Sequence, residues 1–155
     1  MGHEHRLSVR SYECDVNGHV NNATYLNYLE VARTAFLCET GIGYRELRER
    51  GFGLVVVRVC IEFRGEARME DELVVVTEPV AKRFTGGTFR QTVYRDEAGR
   101  RTLLAEAEVA WACVNAAKRP VRLPPFLDRP ELVPEDGPWT PRAPAMRRWV
   151  LMRRW

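Results

Sequence analysis

Residues 13–25 read Glu-Cys-Asp-Val-Asn-Gly-His-Val-Asn-Asn-Ala-Thr-Tyr, and apolar residues at helical spacing begin directly after them. The Asp-Val-Asn-Gly run at 15–18 favours a turn, because short polar side chains bond nearby backbone groups and glycine tolerates a positive φ. Asn21 or Asn22 is then a good N-cap for the helix that follows. The pattern therefore predicts a carboxylate on a turn that leads into the N-terminal end of a helix, where unpaired backbone N–H groups point outward.

This arrangement suits acyl transfer. The Asp15 carboxylate can take a proton from water or can itself attack a carbonyl carbon. Backbone N–H groups near Asn22 and Ala23 are candidates to hold the developing oxyanion, with the helix dipole assisting. The same residues also fit a plain surface turn followed by a helix cap, so spacing alone leaves both interpretations open.

Asp15, the Gly-His-Val-Asn-Asn run at 18–22 and Tyr25 inside the predicted helix resemble the signature of the hot-dog-fold acyl thioesterases. The closest likeness is to the 4-hydroxybenzoyl-CoA thioesterase-like group, which includes small bacterial acyl-CoA thioesterases, and it extends loosely from about Leu7 to Leu123. The His-Val-Asn-Asn run also resembles acyl-carrier-protein thioesterases of the same superfamily. Many members have an aspartate two residues before the catalytic one, where this chain has Glu13, so the resemblance assigns that position no role.

With this resemblance, Asp15 is the expected catalytic carboxylate, as general base or nucleophile, and Asn22 at the helix start is the candidate for polarising the thioester carbonyl. His19 is a further catalytic candidate that could bond Asp15, orient water or brace the loop. Gly18 and Tyr25 are assigned to substrate binding, with Tyr25 either lining a tunnel or packing. The resemblance also implies a substrate tunnel between two subunits, and no cofactor or metal is expected.

Cations near predicted loop ends are candidates for holding the carrier of the acyl group. CoA is rich in phosphate, to which Lys and Arg form strong charge-assisted bonds. Lys82 and Arg83 come just before the Gly-Gly pair at 86–87, where similar enzymes carry CoA-contacting cations. Arg90 and the Lys-Arg pair at 118–119 are the other candidates, and plain solvated surface is the competing interpretation for all of them.

The composition is that of one ordinary globular domain. The 155 residues are 45% hydrophobic and 29% charged, and the net charge of +3 does not by itself indicate binding to nucleic acid. The start, Met-Gly-His-Glu-His, has no apolar run that would predict a signal peptide, and no stretch approaches a transmembrane span. The four cysteines lack Cys-x-x-Cys spacing, and Cys14 has no evident base that would make it a nucleophile. A cytoplasmic location is the expectation.

Apolar periodicity predicts an α+β fold, an antiparallel sheet of about five strands with one long helix on one face. The resemblance implies the hot-dog fold, in which such a sheet is wrapped around the long helix. The predicted strands cover residues 6–12, 57–64, 70–80, 88–95 and 103–113, with a turn at Gly86-Gly87 and another at 96–99. The predicted helices cover residues 23–40 and 44–50. One face of the last strand is expected to carry Leu103, Ala105, Ala107, Val109, Trp111 and Cys113, and its two middle alanines would let the helix approach closely.

Residues 1–123 are expected to form the thioesterase domain, and residues 124–155 a Pro-rich extension. The extension ends in basic and aromatic residues at 146–155, which fit a membrane-surface or nucleic-acid tail but more often pack on a neighbouring subunit or stay loose.

The leading functional expectation is hydrolysis of an acyl-CoA thioester to free acid and CoA. An acyl-carrier-protein thioesterase and a non-catalytic acyl-thioester-binding hot-dog protein are the alternatives. Because an open sheet has edge strands that must be covered, a homodimer or homotetramer is also predicted. The identity and length of the acyl chain cannot be read from one sequence.

Overall fold

The computed structural model describes residues 2–134 of the 155-residue chain. They form one five-stranded antiparallel sheet in the order β1-β3-β4-β5-β2, with a long helix packed against one face. The strands are β1 (His3–Ser8), β2 (Phe52–Phe63), β3 (Glu72–Arg83), β4 (Gly86–Glu97) and β5 (Arg100–Asn115), and the helices are α1 (Asn22–Glu39) and α2 (Tyr44–Glu49). The predicted α+β hot-dog arrangement is confirmed.

Helix α1 begins and ends where its local sequence directs. The Asn21 side chain caps it by accepting the Ala23 N–H at 2.9 Å, and Gly41, with φ of +77°, follows its last turn. Leu29 and Ala32 of its buried face belong to the same core cluster as Ala105 and Ala107 of β5, while the helix backbone lies near β3 and β1. The close approach of the helix to the two alanines stays a prediction.

A buried polar network fixes α1 against the middle of the sheet. Arg33 Nη1 donates to Gln91 Oε1 at 2.7 Å. Gln91 Nε2 donates in turn to the Leu29 carbonyl and to Thr77 Oγ1, each at 2.9 Å. Burial lowers the pKa of the Arg33 guanidinium. Because one glutamine bridges the helix and two strands, this network sets the position of α1 over β3 and β4.

The first strand lies earlier than the predicted range of 6–12. It covers His3–Ser8, and a short 3-10 helix at Ser11–Glu13 follows it. Glu13 causes the change, since its Oε2 accepts the Arg10 N–H at 2.8 Å and closes a helical turn where the alternation predicts extended chain.

The predicted turn at Gly86-Gly87 is wrong, because both glycines lie inside β4 and the turn is formed by Phe84 and Thr85. Their role is close packing. A Cβ on Gly86 would lie 2.0 Å from the carbonyl oxygen of Trp111, and one on Gly87 would meet backbone and ring atoms within about 3 Å. No residue with a side chain fits there without moving the neighbouring strand.

We expect Gly86→Ala to destabilise the fold by about 3 kcal/mol or more, because backbone atoms of β5 must move to admit the methyl group. Chemical denaturation of the purified variant measures this. Gly43→Ala is the matched control, since Gly43 has open space around it and an ordinary φ, and it should cost about 1 kcal/mol or less. Equal stability of the two variants would contradict the close-packing explanation.

Two β-bulges alter the predicted alternation. On β5, Leu104 enters the core while Leu103 does not, because the register with β4 shifts at Val93 and Tyr94. On β2 the register shifts between Val56 and Arg58. The bulged residue Val57 is 60% exposed.

The chain after β5 returns to the sheet. Leu127, Leu132 and Val133 are buried in a second core cluster with Trp111. The predicted domain boundary at Leu123 stays a prediction, and the basic and aromatic tail at 146–155 lies outside the described residues.

In residues 2–134, no helix has both the length and the apolar character needed to cross a membrane.

Candidate active site

Asp15 lies on a tight turn closed by hydrogen bonds. Its N–H donates to His19 O at 2.8 Å, and the Gly18 N–H donates to Asp15 O at 3.0 Å. Gly18 has φ of +75°, a conformation that side-chain-bearing residues adopt only at a cost. Asp15 Oδ1 accepts the Asn17 N–H at 2.8 Å, so the exposed carboxylate is oriented by its own loop. Its second oxygen forms no hydrogen bond within the described residues.

The start of α1 offers one open backbone donor near this turn. The Asn21 N–H donates to Glu13 O, and the Thr24 N–H donates to Asn21 O. The Ala23 N–H is occupied by the Asn21 side-chain cap, so it is not the oxyanion donor that the sequence suggested. The Asn22 N–H has no acceptor among residues 2–134 and remains available.

His19 is paired with Glu66 and not with Asp15. Its Nε2 lies 2.9 Å from Glu66 Oε2, and its backbone bridges to Arg68 in the connection before β3. Arg68 also bonds Glu66, and together with His19 it holds the pKa of that carboxyl below its usual range. The contact braces the Asp15 loop against a segment distant in sequence.

A hydrogen bond between Glu13 and Tyr28 also holds the segment before the Asp15 turn against α1. The sequence did not predict this contact. The Tyr28 hydroxyl donates to Glu13 Oε2 at 2.7 Å. Burial and the adjacent Glu13 carboxylate raise the pKa of Tyr28, so its hydroxyl remains a donor. The spacing of Arg10 and Glu13 indicates only the turn of 3-10 helix that they close, so no local pattern predicts the contact with Tyr28.

Tyr25 is a packing residue in the single chain. Its side chain is buried, and its ring meets Phe63 edge-on with centroids 5.2 Å apart. Burial raises the pKa of its hydroxyl. The ring therefore connects the first turn of α1 to the C-terminal end of β2.

The expected carrier-binding cations do not all lie together. Lys82 and Arg83 end β3 and line a groove that also includes Arg122. Arg90 lies in the middle of β4, between Glu78 and Glu108 in the strand register, and is not part of this groove. Lys118 lies in the turn after β5 and does not line the groove either.

The Asp15 turn and the Lys82-Arg83 pair lie at opposite ends of the sheet. The Asp15 turn is attached through His19 and Arg68 to the segment before β3, whereas the cations are at the end of that strand. From Glu72 to Lys82 the strand advances roughly 30 Å at about 3.3 Å per residue. One chain therefore does not place its Asp15 turn beside its own Lys82-Arg83 pair.

The chain resembles known thioesterases over most of its length. The model of the thioesterase-like superfamily matches residues 9–133. Acyl-CoA thioester hydrolase YbgC of Escherichia coli O6:H1 is 34% identical over 122 residues, covering 77% of this chain and 89% of that protein. The chloroplastic acyl-acyl carrier protein thioesterase ATL3 of Arabidopsis thaliana is 32% identical over 126 residues, covering 79% of this chain and 63% of that protein.

The fold agrees with a solved structure of the same kind. The probable thioesterase from Bartonella henselae superimposes with a TM-score of 0.74 at 26% identity, covering 80% of this chain and all of that one. The sequence matches and the five-stranded sheet around α1 lead to the same conclusion: this chain belongs to the thioesterase-like superfamily.

Proposed function

We propose that this chain hydrolyses acyl-CoA thioesters to free acid and CoA, with Asp15 as general base or nucleophile. The chain is a thioester hydrolase, in keeping with the names of its relatives. The observation that carries the residue assignment is the pairing of an oriented carboxylate at Asp15 with an open backbone N–H at Asn22, both on the same loop-to-helix junction.

In the proposed mechanism, Asp15 removes a proton from the attacking water or itself attacks the thioester carbonyl to form a mixed anhydride. The Asn22 N–H, at the positive end of α1, donates to the oxygen that becomes negative, and one such donor is typically worth about 3 kcal/mol of barrier. The thiolate of the carrier is a good leaving group, so the reaction does not need a second residue that activates Asp15, as in a catalytic triad.

His19 and Gly18 act on this site indirectly. The His19–Glu66 pair holds the loop, and the positive φ of Gly18 lets the turn close. We therefore assign His19 a positioning role, although the sequence made it a catalytic candidate. Gly18 allows the substrate to approach the backbone, because it has no side chain and open space surrounds it.

We further propose that the working unit is a homodimer joined through β2, or a tetramer built from such dimers. β2 is a twelve-residue edge strand on which apolar side chains are exposed, including Val55, Val56, Val59 and Phe63. A long exposed apolar edge is a site of aggregation unless another chain covers it. Light scattering that gave a mass near 17.9 kDa would contradict this proposal.

Antiparallel pairing of two β2 strands would also complete the site. Phe63, at one end of β2, packs on Tyr25 near the catalytic junction. Leu54, at the other end, pairs with Cys113, whose N–H bonds the turn that follows Lys82 and Arg83. A two-fold axis places unlike ends side by side, so the Asp15 turn of one subunit meets the cation pair of its partner.

Hydrolysis of acyl-carrier-protein substrates is the second candidate, favoured by the 32% identity to the Arabidopsis acyl-acyl carrier protein thioesterase. A non-catalytic acyl-thioester-binding protein is a third, but binding alone gives no reason for the oriented carboxylate at Asp15 beside an open N–H.

A substrate panel tests the function. Short, long and aromatic acyl groups are presented on CoA and on carrier protein, and release of the free thiol is followed. We expect kcat/KM to be at least tenfold higher with the CoA form of the preferred acyl group, about 1.4 kcal/mol of discrimination. Faster hydrolysis on carrier protein would favour the second candidate, and hydrolysis of neither would favour the binding protein.

A further inference from the structure

Glu13 joins the segment before the Asp15 turn to the start of α1 by two hydrogen bonds. Its carbonyl oxygen accepts the Asn21 N–H at 3.0 Å, and its carboxylate accepts the Tyr28 hydroxyl at 2.7 Å. Asn21 is the N-cap of α1, and Tyr28 lies in the second turn of that helix. Glu13 therefore holds the helix at two points, and Asn22 lies between them.

The Glu13 carboxylate is also held from the opposite side. Its Oε2 accepts the Arg10 N–H at 2.8 Å, and Arg10 Nη1 lies 3.3 Å from its Oε1. The Glu13 side chain is only 9% exposed, and Tyr28 is 4% exposed. Because water does not compete for these groups, their hydrogen bonds restrict the geometry more than exposed contacts would.

The turn and the helix start carry the two groups that the proposed reaction needs. Only Cys14 separates Glu13 from Asp15, and the Cys14 backbone pairs with Val20 on the far side of the turn. The position of Glu13 on α1 therefore affects how far the Asp15 carboxylate lies from the Asn22 N–H. An error of about 1 Å in such a separation can lower a rate by about 100-fold.

The contact between His19 and Glu66 restrains a different motion. It ties the loop to the connection before β3, and its side chains are 24% and 45% exposed. This pair holds the loop against the sheet, whereas the hydrogen bond between Glu13 and Tyr28 holds it against α1. The separation of Asp15 from the helix start depends on the second contact.

We propose that Glu13 and Tyr28 are positioning residues for thioester hydrolysis, whose hydrogen bond sets the separation between the Asp15 carboxylate and the Asn22 N–H. They act through the junction and do not touch the substrate. This inference rests on the proposed function and deepens it, because it says what aligns the base with the oxyanion donor. It also gives a role to position 13, to which the family resemblance assigned none.

Steady-state hydrolysis of the preferred acyl-CoA by Tyr28→Phe tests the proposal. We expect kcat to fall by about tenfold and KM to stay within about twofold, because misalignment raises the barrier without removing a contact to the substrate. Tyr94→Phe is the matched control. Tyr94 is half-buried on β4, outside the junction, so the loss of its hydroxyl should leave kcat unchanged.

Variants of Glu13 separate positioning from the effect of charge. Glu13→Gln keeps the length of the side chain and an oxygen that can accept from both Tyr28 and Arg10, so kcat should stay within about threefold. Glu13→Asp keeps the charge but shortens the side chain by one methylene, so kcat should fall by about tenfold. The reverse order would mean that the carboxylate acts through its charge, and it would overturn the proposal.

Amide hydrogen exchange gives a readout that does not depend on activity. Exchange of the Asn21 N–H, which Glu13 O accepts, should be about tenfold faster in Tyr28→Phe and unchanged in Tyr94→Phe. A lower kcat without faster exchange at Asn21 would overturn the proposal, and so would faster exchange with unchanged kcat.

The same measurements distinguish this inference from the proposed function. A folded wild-type chain that hydrolyses no acyl thioester would reject the function, and the positioning role with it. Normal wild-type turnover together with normal kcat in folded Tyr28→Phe would reject the positioning role alone and leave the function in place.

Discussion

Asp15→Asn is expected to lower kcat by about 100-fold or more, the range for loss of a positioned acid or base. The fold should persist, because the amide oxygen of asparagine can still accept the Asn17 N–H that the Asp15 carboxylate accepts in the turn. What disappears is the negative charge that removes a proton or attacks the carbonyl. Steady-state hydrolysis of the preferred acyl-CoA, with circular dichroism to verify folding, measures the effect.

Glu70→Gln is the matched control for this substitution. Glu70 is an exposed residue at the same end of the sheet as Asp15. Its backbone N–H donates to Val9 O. The exchange removes the same charge from nearby surface without touching the turn, so kcat should stay within about twofold, as expected of a screened surface charge. Near-normal turnover in a folded Asp15→Asn protein would reject the carboxylate mechanism outright.

The sequence was most informative where structure depends on near neighbours. The cap at Asn21 and the stop at Gly41 placed α1 within one residue of its observed ends. Gly86 shows the opposite case. Two adjacent glycines are typical of a turn, but the reason for them here is Trp111, 25 residues later in the chain, and no local pattern reveals that contact.

The same distinction holds at the site. The Asp-x-Asn-Gly turn and the helix start are consecutive in sequence, so their juxtaposition was predictable. Glu66, which pairs with His19, lies beyond two helices and a strand, so the sequence offered bonding to Asp15, orienting water and bracing the loop as roles for His19 but did not identify this partner. Arg122 lines the groove with Lys82 and Arg83, and the sequence did not place it there for the same reason, since it lies beyond β5.

The separation of roughly 30 Å along β3 between the Asp15 end and the Lys82 end leads to a complementation experiment. Asp15→Asn chains lack the proposed base, and Lys82→Ala/Arg83→Ala chains lack the cation pair. Each homodimer should be nearly inactive at low acyl-CoA concentration, the first through kcat and the second through KM. Co-expression with two different affinity tags allows the mixed dimer to be purified.

In that mixed dimer, a shared site is expected to restore about half of the wild-type activity, because one of its two symmetry-related sites takes Asp15 from one chain and both cations from the other. Sites confined to single chains would all lack one component, and the mixed dimer would then be no more active than the average of its parents. The recovered activity should show wild-type KM, since the intact site contains every proposed contact to the carrier. Recovery with the raised KM of the cation variant would mean that Asp15 and the cations act independently, and the antiparallel β2 pairing proposed to unite them would be wrong.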